Sequence, residues 1–171
     1  AETSGGGDWT VIQHWGVAGG KLHLLDQWRG QWDDLRVADE LMRLVSQHRP
    51  MGTLVETASS GKVALAALKR AGIPGIVPVS HSGQGSKLAR TGGTRLLWQK
   101  GAILLPEPHG AATEWLYKRD STGSDWIDRQ IALRGERPDM RGEVDDESDT
   151  AATMIRWWME EADSAPQASS S

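Results

Sequence analysis

The chain contains no cysteine. That single absence excludes disulfides, cysteine-ligated zinc ribbons and thiol nucleophiles. No apolar run approaches the ~20 residues that a membrane-spanning helix needs, so no integral membrane segment is expected. Phe is missing and Tyr occurs once, whereas Trp occurs nine times. The five histidines, His14, His23, His48, His81 and His109, include no H-x-x-x-H pair, which leaves a helical zinc site without support. Ser60-Gly61-Lys62-Val63 fails the phosphate-loop pattern, which requires Gly where Glu56 stands and Ser or Thr where Val63 stands. Gly83-Gln84-Gly85 lacks the third glycine of a dinucleotide turn. No G-x-S-x-G elbow marks a serine nucleophile, and no internal repeat is visible.

What is present is ordinary globular material. With 171 residues, 38% hydrophobic and 25% charged, the chain fits one domain and can bury a core. Its net charge of −4 hides an asymmetry: residues 142–171 hold one Arg against eight acids, whereas residues 87–141 hold ten Lys and Arg against seven acids. A mildly basic stretch beside an acidic cluster suits a protein that touches polyanions and also holds cations, although a solvated surface with an acidic tail gives the same pattern. Ala1 to Gly7 has neither a basic nor an apolar region and does not read as a signal peptide, so secretion is not expected. Residues 1–163 are expected to form the domain, and Ser164 to Ser171 a disordered tail.

Strand and helix patterns alternate between these ends. Trp9 to Trp15, rich in β-branched and aromatic residues, predicts a strand. A turn at Gly16 to Gly20 leads to a second strand, Lys21 to Trp28, antiparallel because the connection is short. Asp33 or Asp34 caps a helix with Leu35, Ala38, Leu41, Met42 and Val45 on one face, and Pro50 ends it. Thr53 to Glu56 is a short strand. Ser59 or Ser60 caps a helix from Val63 to Ala71, stopped by Gly72 and Pro74. Ile76 to Val79 is a strand whose Pro78 indicates an edge or an irregular position. Lys87 to Lys100 is helical with an interruption at Gly92-Gly93, and Ile103 to Leu105 is a strand. His109 to Leu133 is mostly helical with a break at Ser121 to Ser124, and Arg134 to Glu143 is a charged loop. Asp146 to Ala162 is the last helix, with Met154, Ile155 and Trp158 facing inward. A hairpin followed by alternating helices and strands predicts an α/β fold, a mixed sheet covered by helices.

Three features could carry chemistry. Glu56 ends an apolar strand, where α/β sheets place their sites, and a partly desolvated carboxylate there must find a cation, a donor or a proton. The run Val144-Asp145-Asp146-Glu147-Ser148-Asp149 puts Asp145 and Asp149 four apart and Asp146 and Asp149 three apart, on one helix face. Carboxylates gathered this way repel unless a hard cation such as Mg²⁺ or Mn²⁺ lies between them, although acids at a helix start are also favoured by the helix dipole. The spacing is not that of an EF-hand. Lys87, Arg90, Arg95, Lys100, Lys118, Arg119, Arg129, Arg134, Arg137 and Arg141 could follow a phosphate backbone or form an ordinary charged surface.

Six stretches in order resemble a known family. They are Asp8-Trp-Thr-Val-Ile-Gln-His-Trp-Gly16, Leu22-His-Leu-Leu-Asp-Gln-Trp-Arg-Gly30, Thr53-Leu-Val-Glu-Thr-Ala-Ser-Ser-Gly-Lys62, Ser86-Lys-Leu-Ala-Arg90, Gly101-Ala-Ile-Leu-Leu-Pro106 and Val144-Asp-Asp-Glu-Ser-Asp149. The chain is similar, over roughly residues 8–160, to the C-terminal nuclease domain of the large terminase subunit of tailed phages, an RNase H-like fold. The resemblance implies a metal-dependent endonuclease that cuts concatemeric double-stranded DNA during packaging. Glu56 matches the second acidic motif, Asp145 and Asp146 match the Asp-Asp pair of the third, and Asp149 is the acid that follows. Lys87 and Arg90 match a Lys/Arg element near the DNA. Two Mg²⁺ or Mn²⁺ ions held about 4 Å apart would activate a water and stabilise the leaving oxygen. Implied partners are DNA, the ATPase domain, the small terminase subunit and the portal, and the implied location is the host cytoplasm. The family's first catalytic Asp lies on a strand before the stretch that begins here, so either the chain is a fragment lacking that strand, which is the expectation, or a neighbour such as Glu2 or Asp8 substitutes. The family's ATPase motor is not in this stretch, so no ATP use is expected. Two alternatives are a non-catalytic RNase H-like module that binds DNA or packaging proteins, and another RNase H-like enzyme such as a resolvase or transposase.

Overall fold

The computed structural model describes residues 9–58, 60–83, 92–119, 125–126 and 145–164, without the side chains of 145, 146, 148 and 162–164. The chain is mixed α/β. It divides into two compact units, one of Ala1–Ile12 with Arg29–Gly85 and one of Gln13–Trp28 with Ser86–Ser171. Among the described residues the strands form two sheets rather than the one expected: β1 (Thr10–Ala18), β2 (Lys21–Gly30) and β5 (Ile103–Leu104) in the order β1-β2-β5, and β3 (Thr53–Glu56) with β4 (Ile76–Val79).

The hairpin turn is tighter than the glycine-rich stretch implies. β1 runs through Gly16 to Ala18, and only Gly19 and Gly20 leave the ladder, with φ of 59° and 69°. A two-residue hairpin turn with both central φ angles positive matches strand twist and favours glycine at each place.

In the first unit, Asp33 caps α1 (Asp34–His48) by accepting the Arg36 N–H at 2.8 Å. Replacing Asp33 with Ala is expected to lower unfolding free energy by ~1 kcal/mol, read as a lower urea midpoint at unchanged slope. The buried face of α1 is Val37, Ala38, Leu44 and Val45, with Leu41 and Met42 half-buried against them. Leu35, expected on that face, is 73% exposed. It lies in the first turn, at the rim of the stripe. Arg49 ends the helix in the left-handed region, its N–H bonded to the Val45 carbonyl. On the outer side Arg43 donates to Glu40 and holds that carboxyl below its ordinary range.

β3, α2 (Ser60–Arg70) and β4 form a parallel strand–helix–strand unit. Thr53 pairs with Ile76, Val55 with Pro78 and Glu56 with Val79. The Thr53 and Thr57 N–H groups donate to the Gly75 and Val79 carbonyls at 2.8 Å. Residues 75 and 79 therefore face β3, and by alternation Pro78 faces away, so its missing N–H breaks no pair. α2 starts three residues earlier than expected, at Ser60. It ends as Gly72 and Pro74 imply: Ile73 N–H reaches the Leu68 carbonyl, Gly72 N–H reaches Lys69, and Gly72 has φ 68°. Val55, Ala64 and Leu68 close this core against α1.

In the second unit β2 pairs with β5 in parallel, Leu22 opposite Ile103. Leu22 and Leu24 alternate inward and head two clusters. Leu22, Ile103 and Ile155 gather Trp15, Leu97, Trp98, Met154 and Trp158. Leu24, Leu116 and Trp126 gather Trp15, Trp98, Leu105 and Trp115. α3 (Arg95–Gln99) follows Gly92-Gly93. Within the described residues the helix expected over His109 to Leu133 opens as a 3₁₀ turn at Gly110–Thr113 and then α4 (Glu114–Tyr117), which stops because Lys118 is extended with ψ 125°. Residues 120–124, 127–133 and the expected charged loop 134–143 lie outside the described residues. The last helix, α5 (Asp145–Ser164), turns Ile155 fully inward, with Met154 and Trp158 half-buried beside it, as its pattern implies. Ser164, expected to open a disordered tail, instead ends this helix, and the rest of that tail lies outside the described residues. Among the described residues no helix is long and apolar enough to cross a membrane.

Candidate functional site

Glu56 is the last residue of β3, at the carboxyl end of the parallel pair. Because Val55 turns into the core, strand alternation sends Glu56 the other way. Its side chain is 54% exposed. His81, two residues past β4, brings Nε2 to 3.9 Å from Glu56 Oε1, and the His81 side chain is largely covered. That separation is longer than a hydrogen bond, so the two form an ion pair only when the imidazole is protonated. Sequence reasoning missed His81. Its signal is positional: it follows the strand that lies in register with the Glu56 strand.

The backbone under Glu56 is tightly packed. Gly61 N–H donates to the Ala58 carbonyl at 3.0 Å, and a Cβ on Gly61 would overlap the Glu56 carbonyl oxygen. Gly61→Ala is therefore expected to cost about 2 kcal/mol, read by denaturant unfolding. It is also expected to move Glu56.

The acidic run opens α5 and belongs to the other compact unit. Asp145 and Asp146 form its first two positions, and their side chains lie outside the described set. Asp149 is nearly buried, and its backbone carbonyl accepts from Thr153 Oγ1 at 2.9 Å. Glu147 is the surprise. It stands inside the run, yet it is 1% exposed and hydrogen-bonded to Gln27 from β2. Lys87 and Arg90 lie outside the described residues.

The donors present are of one chemical kind. Glu56, Asp145, Asp146 and Asp149 offer carboxylate oxygens, and the chain has no thiolate. Such a set fits a hard divalent cation, Mg²⁺ or Mn²⁺, and not a sulfur-preferring one. Among the described residues no three His, Asp or Glu side chains gather in an arrangement that could hold a metal ion, and the Asp145 and Asp146 carboxylates are not in that set. No protein-family model matches the chain, and a search of curated proteins finds no match.

Proposed function

We propose that this chain is the metal-dependent endonuclease domain of a phage DNA-packaging terminase, with an RNase H-like fold, and that it cuts concatemeric double-stranded DNA. The observation that carries the reading is the placement of Glu56, an exposed carboxylate at the carboxyl end of a parallel strand pair. The acidic turn opening α5 and the order of the six sequence stretches support it.

Glu56, Asp145 and Asp146 would hold two divalent cations, with Asp149 as the neighbouring acid. When bound, such ions activate a water and neutralise charge on the leaving oxygen. The chain's own contribution is to hold oxygen donors in place without a histidine or cysteine nucleophile. Lys87 and Arg90 would hold the phosphate backbone, a sequence-independent and salt-sensitive contact. His81 stands close enough to Glu56 to restrict the directions that carboxylate can take. The partners proposed are duplex DNA, the terminase ATPase domain, the small subunit and the portal, in the cytoplasm of the infected host.

The test is incubation of the chain with supercoiled plasmid and Mn²⁺, with and without EDTA, beside Glu56→Ala. Nicking that needs the metal and is lost in the variant supports an enzyme. DNA retention without cutting contradicts it and supports a binding module.

A further inference from the structure

Five residues at the foot of α5 share a run of hydrogen bonds within the second unit. Gln27 Nε2 donates to Glu147 Oε1 at 2.8 Å. Gln13 Nε2 donates to Gln27 Oε1 at 2.8 Å and to the backbone carbonyl of Glu147 at 3.1 Å. Trp126 Nε1 donates to Gln27 Oε1 at 3.0 Å, and Trp15 Nε1 to Gln13 Oε1 at 3.1 Å. Both hydrogens and the oxygen of the Gln13 amide are thereby engaged, and the Gln27 oxygen accepts twice.

Burying a carboxyl group and the Gln27 amide, with the Gln13 amide half-buried beside them, is a costly way to fill space, since apolar side chains of the same size pack there without desolvation cost. What the polar version adds is direction. Gln27 takes hold of Glu147 by its side chain and Gln13 by its backbone, from two adjacent strands. Two such bonds to one residue fix both the height and the rotation of the first helical turn. Asp145 and Asp146 are the two residues immediately before it.

We infer that Gln13 and Gln27 are positioning residues for the acidic turn, clamping Glu147 so that the backbone of Asp145 and Asp146 is set in place before cations bind. The inference rests on the nuclease reading. Glu147 in this role is a buried anchor and does not itself touch the ions.

The experiment titrates Mn²⁺ into the full chain by calorimetry and measures kcat and KM for plasmid nicking. Gln27→Met and Gln13→Met are expected to weaken Mn²⁺ binding roughly 10–100-fold and to lower kcat with KM for DNA unchanged. Glu147→Gln retains an oxygen for the Gln27 N–H, and is expected to weaken Mn²⁺ binding less than Gln27→Met does. If Gln27→Met loses its far-UV dichroism, Gln13→Met decides, because Gln13 is only half-buried and the Gln27–Glu147 bond survives its loss. Folded glutamine variants with wild-type Mn²⁺ affinity overturn the positioning role. A folded Glu147→Gln that loses Mn²⁺ binding while both folded glutamine variants keep it also overturns it, by making that carboxylate a ligand. A wild type that binds no Mn²⁺ defeats the nuclease reading and this inference with it, a result distinct from either of those.

Discussion

Glu56→Ala is expected to abolish metal-dependent nicking, by roughly a thousandfold or ~4 kcal/mol of barrier, while its unfolding free energy stays within about 0.5 kcal/mol of wild type. The two halves of this expectation have separate physical grounds. The Glu56 side chain is 54% exposed, so truncation opens no cavity. The contact with His81, at 3.9 Å, is longer than a hydrogen bond and half open to solvent, so its loss costs little. Stability therefore has no strong reason to change. On the proposed nuclease reading cleavage does, because a carboxylate that holds a divalent ion would contribute charge that no neighbouring water replaces. Plasmid nicking and a urea titration on the same preparation check both. Activity surviving at more than a tenth of wild type would remove Glu56 from the site.

Trp126→Ala is expected to destabilise the fold strongly, by about 3–5 kcal/mol. Trp126 is fully buried. Its ring lies 6.2 Å from Trp98 in a tilted contact and 6.3 Å from Trp115 edge to face, separations at which aromatic pairs attract beyond simple burial. It also packs with Leu24 and Leu116 and donates its N–H to Gln27. Domains have only about 5–15 kcal/mol to lose, so the variant should stand near the edge of folding. Trp126→Phe, which keeps an aromatic ring and loses the N–H, is expected to fall between. Guanidinium unfolding followed by circular dichroism measures all three. A loss below about 1 kcal/mol for Trp126→Ala would contradict the packing described for the second unit.

Much of the local architecture is legible in the residues because it depends on near neighbours. The capping Asp33, the Gly72 stop, the edge position of Pro78 and the inward face of the last helix are all set by residues within a turn or two. Departures occur where context decides. Leu35 looks inward by spacing and is exposed because the helix has barely begun to cover the core there. The hairpin takes two glycines out of the ladder although more are on offer, since a tight turn needs two. The pattern beyond His109 continues as helix on paper, whereas Lys118 turns extended. The candidate site divides the same way. Glu56 is recognisable because an acid ending an apolar strand is a local event. Glu147 is not, because its burial depends on Gln27, 120 residues away, and nothing within the acidic run separates it from Asp145 or Asp146. Gln27 itself departs from the Leu22 and Leu24 alternation on β2, lying three residues past Leu24 and still buried.

Manganese anomalous diffraction from crystals of the full chain grown with Mn²⁺ addresses the proposed chemistry most directly. The expected map shows ions coordinated at about 2.0–2.5 Å by an oxygen of Glu56 and by oxygens of Asp145 or Asp146, as one shared ion or two roughly 4 Å apart. Ions bound elsewhere, or ions on the acidic turn with Glu56 in open solvent away from them, would contradict a two-cation nuclease built on these residues.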